Sequence, residues 1–182
     1  MTDTAPPLIY RRRLPHFQPD RGSVFITWRL YGSPPPPPPS GRIGLDFVRY
    51  ERNLETVRRG PFWLRISPVA SIVRDALLHA EQVQRRFALC AWVIMPNHIH
   101  LLLTPSVSLR IITQGLKGFT AHRANQILHR HHQPFWQDES FDHWIRDEYE
   151  FQRVVDYTEQ NPVKAGLVRR PIQWKWSSIH DR

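Results

Sequence analysis

Two histidines two residues apart inside an apolar run are the first sign of chemistry in this chain. His98 and His100 fall in the stretch Leu89 to Thr104, which is apolar on both sides of Pro96-Asn97. Pro-Asn is turn chemistry, so the stretch reads as two antiparallel strands joined by a tight turn. Side chains two apart on a strand share a face, so the imidazoles stand side by side while Ile99 and Leu101 point the other way. A neutral imidazole nitrogen is a metal ligand, and a strand fixes the separation of two of them at little entropic cost. The pair is half of a metal site, and further ligands must come from elsewhere.

A second group lies some sixty residues on. Asp147 to Asn161 reads as a helix with Asp147, Glu148 and Glu150 in its first turns, favourable to the helix dipole, and with Phe151, Val154, Val155 and Thr158 as its packing stripe. Tyr157 and Asn161, four apart, share one face, and Pro162 is expected to stop the helix at or just before Asn161. A tyrosine and an amide are thus presented together at a helix end. Gln160 lies near the same face, so spacing leaves both amides open as partners of the histidines.

The chain has 182 residues, enough for one domain with a single sizeable core, and a formal net charge of +9. Such a surface draws polyanions, nucleic acid first. Cys90 is the only cysteine, which excludes an internal disulfide framework or a thiolate zinc cluster and fits a reducing cytoplasm. No run approaches a membrane span, and the start lacks the apolar core of a signal peptide, so a soluble cytoplasmic protein is expected.

The elements that must position these groups follow from periodicity. Residues 1 to 22 are polar and basic, with Arg11, Arg12 and Arg13 in a row, and read as a basic arm. Ser23 to Tyr31 alternates as a first strand, with Val24, Ile26 and Trp28 set against Phe25, Thr27 and Arg29. Six prolines, Pro34 to Pro39, make residues 34 to 41 a stiff surface spacer, and one short helix is expected around Leu45 to Arg59. Ser67 as N-cap and Pro68 at the first position open a helix whose buried stripe is Val69, Ile72, Val73, Ala76, Leu77 and Ala80. Ser106 to Arg130 is a second long helix, its apolar face drawn through Leu109, Ile112, Leu116, Phe119 and Ile127. Lys117 sits at the edge of that stripe, and Arg123 projects onto it, so its head must snorkel outward or meet a buried anion. Phe135 to Arg146 holds the final strand. The order strand, helix, strand, strand, helix, strand gives an α+β fold, a ferredoxin-like or RRM-like antiparallel sheet with helices on one face, followed by the helix that carries Tyr157.

The runs Trp92-Val93-Ile94-Met95-Pro96-Asn97-His98-Ile99-His100 and Asp156-Tyr157-Thr158-Glu159-Gln160-Asn161-Pro162-Val163-Lys164-Ala165-Gly166-Leu167 resemble the REP-associated tyrosine transposases, single-tyrosine HUH nucleases. Arg12 to Phe17, Phe135 to Gln137 and Trp176 to Ser178 extend the resemblance, whereas the proline run is outside its pattern. The resemblance implies a catalytic domain over residues 23 to 168 between the arm and a tail of residues 169 to 182. It implies strand transfer on single-stranded DNA beside palindromic repeat hairpins, with His98, His100 and Asn161 binding Mg²⁺ or Mn²⁺ and Tyr157 as nucleophile, in a monomer or homodimer. Arg11, Arg12, Arg13, Lys117, Arg123, Lys164, Arg169 and Arg170 could contact phosphates, and Phe135, Trp136 and Trp144 could stack on unpaired bases; for each taken singly core packing or solvation is the commoner role, and as a set they support nucleic acid. The rival readings are a module that binds hairpin DNA or RNA without cutting it, and a metal hydrolase with no covalent step.

Overall fold

The computed structural model describes residues 8–11, 15–18, 22–33 and 60–181. Along them run β1 (Leu8–Arg11), β2 (Pro15–Gln18), β3 (Val24–Arg29), α1 (Ser67–Gln82), β4 (Phe87–Ile94), β5 (His98–Pro105), α2 (Leu109–Ile127), β6 (Phe141–Trp144) and α3 (Glu148–Lys164). Arg12, Arg13, the proline run and the helix expected over 45 to 59 lie outside the described residues. β1 and β2 pair antiparallel, with Leu8 opposite Gln18 and Arg11 opposite Pro15, so the stretch read as an arm holds a two-stranded ladder.

β3 to β6 form one antiparallel sheet in the order β4-β5-β3-β6. The first strand of the sandwich lies inside, between the third and the fourth, which is the ferredoxin-like arrangement expected from the element order. Strand alternation sorts the sheet into two faces. On one, Val24, Ile26, Trp28, Trp92, Ile94, Ile99, Leu101 and Leu103 meet Val69, Val73 and Leu77 of α1 and Ile112 and Leu116 of α2 in the main core. On the other, Phe25, Ala91 and Leu102 meet Val155 of α3, with Phe151, Val154 and Tyr157 around them. The face opposite α1 and α2 is therefore covered in part by the tyrosine-bearing helix itself.

Several local expectations are corrected. Ile66, not Ser67, caps α1, since its carbonyl accepts from Val69 N and Ala70 N. The buried stripe of α2 is Ile112, Leu116, Thr120 and Ala124, while Phe119 and Ile127 are exposed. Thr120 can be buried because its hydroxyl donates to Leu116 O and accepts from Trp136 Nε1. The last strand, Phe141–Trp144, lies inside the stretch expected to hold it with loop residues around it, and Trp136 joins the sheet through an isolated bridge to Leu30.

Proline does not end α3. The helix continues through Pro162 to Lys164, and Gly166, at φ +68°, ends it. Gly166 N bonds Val163 O and Leu167 N bonds Pro162 O, the paired bonds of a Schellman cap. The segment read as a tail is packed: Trp174 and Trp176 join the main core, Ser177 bridges Val93, and Ile94 N donates to Trp176 O. Trp92 N donates to Ser178 Oγ and Trp174 Nε1 to Ile94 O, so the outer edge of β4 is covered rather than left open.

Candidate active site

The register of the sheet assembles the site. Thr27 lies directly opposite His100 and Arg29 opposite His98, and residues opposite each other in a ladder share a face. His98, His100, Thr27 and Arg29 therefore project on the α3 side, away from the main core. The turn before β5 is held from both sides: Asn97 O accepts from Leu30 N and His98 O from Met95 N.

Both histidines are buried. His98 Nε2 and His100 Nε2 are 3.0 Å apart. Each outer nitrogen has a polar neighbour: Asn97 Oδ1 is 2.7 Å from His98 Nδ1, and Thr27 Oγ1 is 2.9 Å from His100 Nδ1. Burial pushes the pKa of His98 down to about 3, and burial followed by the neighbouring His98 pushes that of His100 well down too. Both rings are thus neutral at physiological pH, the form in which imidazole offers a lone pair.

α3 supplies the rest. Asn161, fully buried, brings Nδ2 to 3.2 Å from His100 Nε2, whereas Gln160 is exposed, so of the two amides left open by spacing only Asn161 adjoins the histidines. Rotation of that amide about its last torsion places Oδ1 where Nδ2 stands. The Tyr157 ring, half-buried, meets His100 edge-on at 5.8 Å between centroids and Phe25 at 6.0 Å, and Phe25 in turn stacks on His100 at 5.3 Å. Lys164 Nζ sits 4.4 Å above the Tyr157 ring. The four residues singled out from sequence, in two groups sixty residues apart, are brought to one place.

The spacing of the two Nε2 atoms is one that a single cation could bridge. Two ligands held at right angles about 2.1 Å from one ion stand about 3 Å apart, the separation of the two Nε2 atoms here. Among the described residues no three His, Cys, Asp or Glu side chains cluster to hold a metal. The donor set is two imidazoles and an amide, all neutral, which would leave the charge of a cation free for an anionic ligand.

The expected nucleic-acid contacts separate. Lys164 is exposed beside Tyr157. Arg123 is exposed too, but on the opposite layer, lining a groove of about 730 Å³ between α1 and α2 with Arg86 and His79. Arg11 ends β1. Lys117 and Trp136 are engaged within the fold. Lys117 Nζ donates to the carbonyls of Gln137 and Asp138 and lies over the Trp28 ring, so it ties a loop to α2. Trp136 and Phe135 are core residues with no face to offer a base.

Thr27, Asn97 and Arg29 escaped the sequence reading. Asn97 adjoins His98 in sequence and could have been found, whereas Thr27 and Arg29 become neighbours of the histidines only through the β3 to β5 register. Arg29 is 9% exposed and brings a positive charge to this face.

Fold and site together define a small α+β domain with a histidine pair and a tyrosine-bearing helix on one face of its sheet. The family model for transposases of the IS200-like kind matches residues 70–161, just over half of the chain, and the chain belongs to that family. It is 28% identical over 113 residues to the REP-associated tyrosine transposase of Escherichia coli (strain K12), covering 60% of this chain and 64% of that protein. A Haemophilus influenzae protein provisionally described in the same terms is 32% identical over 106 residues, 52% of this chain and 60% of that one. The chain thus spans just under two thirds of the length of the curated relatives it matches. The solved structure of a REP-associated tyrosine transposase bound to a REP hairpin matches with a TM-score of 0.61 over 94% of this chain and 82% of that chain, at 22% identity, which shows a common fold. Among the described residues no helix is long and apolar enough to cross a membrane.

Proposed function

We propose that this protein cleaves and rejoins single-stranded DNA next to repeat hairpins, with Tyr157 as nucleophile and a divalent cation, Mg²⁺ or Mn²⁺, held by His98, His100 and Asn161. The observation that carries the reading is the convergence of His98 Nε2, His100 Nε2 and the Asn161 amide within 3.2 Å, with the Tyr157 ring against His100 on the same face. The relatives' names and the hairpin in the matching structure agree with this substrate.

When bound, the cation would polarise the scissile phosphate and offset its charge. The chain's own groups do the rest. Because all three ligands are neutral, phosphate is the natural fourth partner and affinity for metal and DNA should rise together. Tyr157 attacks phosphorus, its oxygen forms the new P–O bond, and the bond to the 3′ oxygen breaks, leaving a 5′-phosphotyrosine and a free 3′-hydroxyl. The link conserves the phosphodiester, so a second 3′-hydroxyl can reverse the step. Lys164 and Arg29 add positive charge beside the tyrosine and beside His98.

The test mixes purified protein with end-labelled single-stranded DNA bearing hairpin repeats, with Mg²⁺ or with EDTA, on a denaturing protein gel. A labelled band at protein mass that needs metal and is lost in Tyr157→Phe is expected. Free cut ends without an adduct would instead support a hydrolase, and tight hairpin binding without cutting a binding module.

A further inference from the structure

The two histidines differ in what holds their outer nitrogens. Asn97 presents a carbonyl oxygen to His98 Nδ1 at 2.7 Å, and a carbonyl oxygen can only accept. Thr27 presents a hydroxyl to His100 Nδ1 at 2.9 Å, and a hydroxyl can accept or donate. Between the rings, the Nε2 atoms lie 3.0 Å apart in a buried setting. At that distance two lone pairs repel, so either a proton or a cation must lie between them.

We propose that Asn97 and Thr27 are positioning residues that set the tautomers of the site: Asn97 locks His98 with its proton on Nδ1, and Thr27 lets His100 switch with cation occupancy. Without a cation, His100 carries its proton on Nε2 and donates it to His98 Nε2, with the Asn161 amide turned so that Oδ1 rather than Nδ2 faces that N–H, while the Thr27 hydroxyl donates to His100 Nδ1. With a cation, the His100 proton resides on Nδ1 and donates to Thr27 Oγ1, and both Nε2 lone pairs face the ion. The exchange moves one proton between two nitrogens of one ring and turns one hydroxyl, with no change in net charge. The cation half rests on the metal reading above, while the tautomers in its absence do not.

The backbone makes the lock rigid. Asn97 O accepts from Leu30 N at the end of β3, and Asn97 itself is buried, so the main chain that carries the carboxamide is fixed beside His98. Outer partners of this kind typically change metal affinity by roughly 10- to 100-fold when removed.

The experiment is ¹⁵N-histidine NMR of the full chain above the range in which free histidines titrate, first without metal and then with Mg²⁺ or Mn²⁺ added. Without metal, His98 is expected as the Nδ1–H form and His100 as the Nε2–H form. Asn97→Leu should release the His98 tautomer and weaken Mn²⁺ binding roughly 10-fold or more, whereas Asn97→Asp, which keeps the acceptor, should retain both. Thr27→Val should weaken binding and Thr27→Ser restore it. A His98 proton on Nε2 in the wild-type chain, or an unchanged His98 tautomer in Asn97→Leu, would overturn the proposal. If neither Mg²⁺ nor Mn²⁺ alters any histidine signal, the metal reading falls and the switch of His100 with it, whereas cation binding with His100 still protonated on Nε2 would overturn the switch alone; the lock on His98 is decided by the first spectrum.

Discussion

Glu150→Gln should weaken the attachment of α3, and the size of the effect follows from the contacts of one carboxylate. Glu150 Oε1 lies 3.0 Å from His143 Nε2 on β6 and accepts from Arg146 Nη2, while Oε2 accepts from Arg146 N at 2.8 Å and from Arg146 Nε. Arg146 above all, with His143 and the backbone N–H, holds the Glu150 pKa down to about 2 from 4.5 against the opposing effect of burial. A depression of that size corresponds to about 3 kcal/mol. The Arg146 side chain is 78% exposed, so solvent screens the largest contribution and about 1 to 2 kcal/mol is the realistic cost of removing the charge. Because the folded pKa is the lower one, this stability is fully present above pH 4.5 and is lost as pH falls from 4.5 towards 2. Urea unfolding of wild type and Glu150→Gln across that window is the assay. The two should differ by about 1 to 2 kcal/mol at neutral pH and converge in acid. Equal stability at neutral pH, or a gap that persists through the window, would refute the reasoning.

Other substitutions test other joints. Trp176→Ala removes a core indole from the segment that covers β4, and should cost about 3 to 5 kcal/mol in urea unfolding. Gly118→Ala and Gly166→Ala should move stability in opposite directions under the same assay. Gly118 lies in α2 with nothing within 4 Å of an added Cβ, so alanine should gain up to about 1 kcal/mol of helix propensity. Gly166 sits at φ +68°, where a Cβ costs about 1 kcal/mol.

The legible parts of this fold were those written in local pattern. The β4 to β5 hairpin announced itself because Pro96-Asn97 interrupts two apolar runs, and alternation then put His98 and His100 on one face. α2 was misread on one face for a physical reason. Hydrophobicity ranks Phe119 above Thr120, but the indole N–H of Trp136 needs an acceptor inside the core and Thr120 provides it, so the helix turns Thr120 inward. That same pairing holds Trp136 in the core. Proline disfavours helical backbone in the residue before it, which is why a stop at or just before Asn161 is expected; near the C-terminus only one backbone bond is lost, and the glycine two residues beyond Lys164 ends the helix instead. The last segment carries no periodicity, only short 3-10 turns, and its tryptophans were the one hint that it packs.

The site depends on register more than on any one residue. Along β5, His98, His100 and Leu102 alternate with Ile99, Leu101 and Leu103, and a slip of one residue against β3 would drive both imidazoles into the main core and three large aliphatic side chains onto the α3 face. The main core thus fixes the register, and the register fixes which way the histidines point. α3 is held differently: its apolar contact with the sheet is the small cluster of Phe25, Ala91, Leu102 and Val155, supplemented by the Glu150 contacts at its start and the Asn161 amide near its end. The half of the site on β5 is therefore built on a strand that the main core holds, and the half on α3 on a smaller apolar joint. Tyr157 and Asn161 lie on one helix, so any shift of that joint carries the tyrosine and the amide together relative to the histidines.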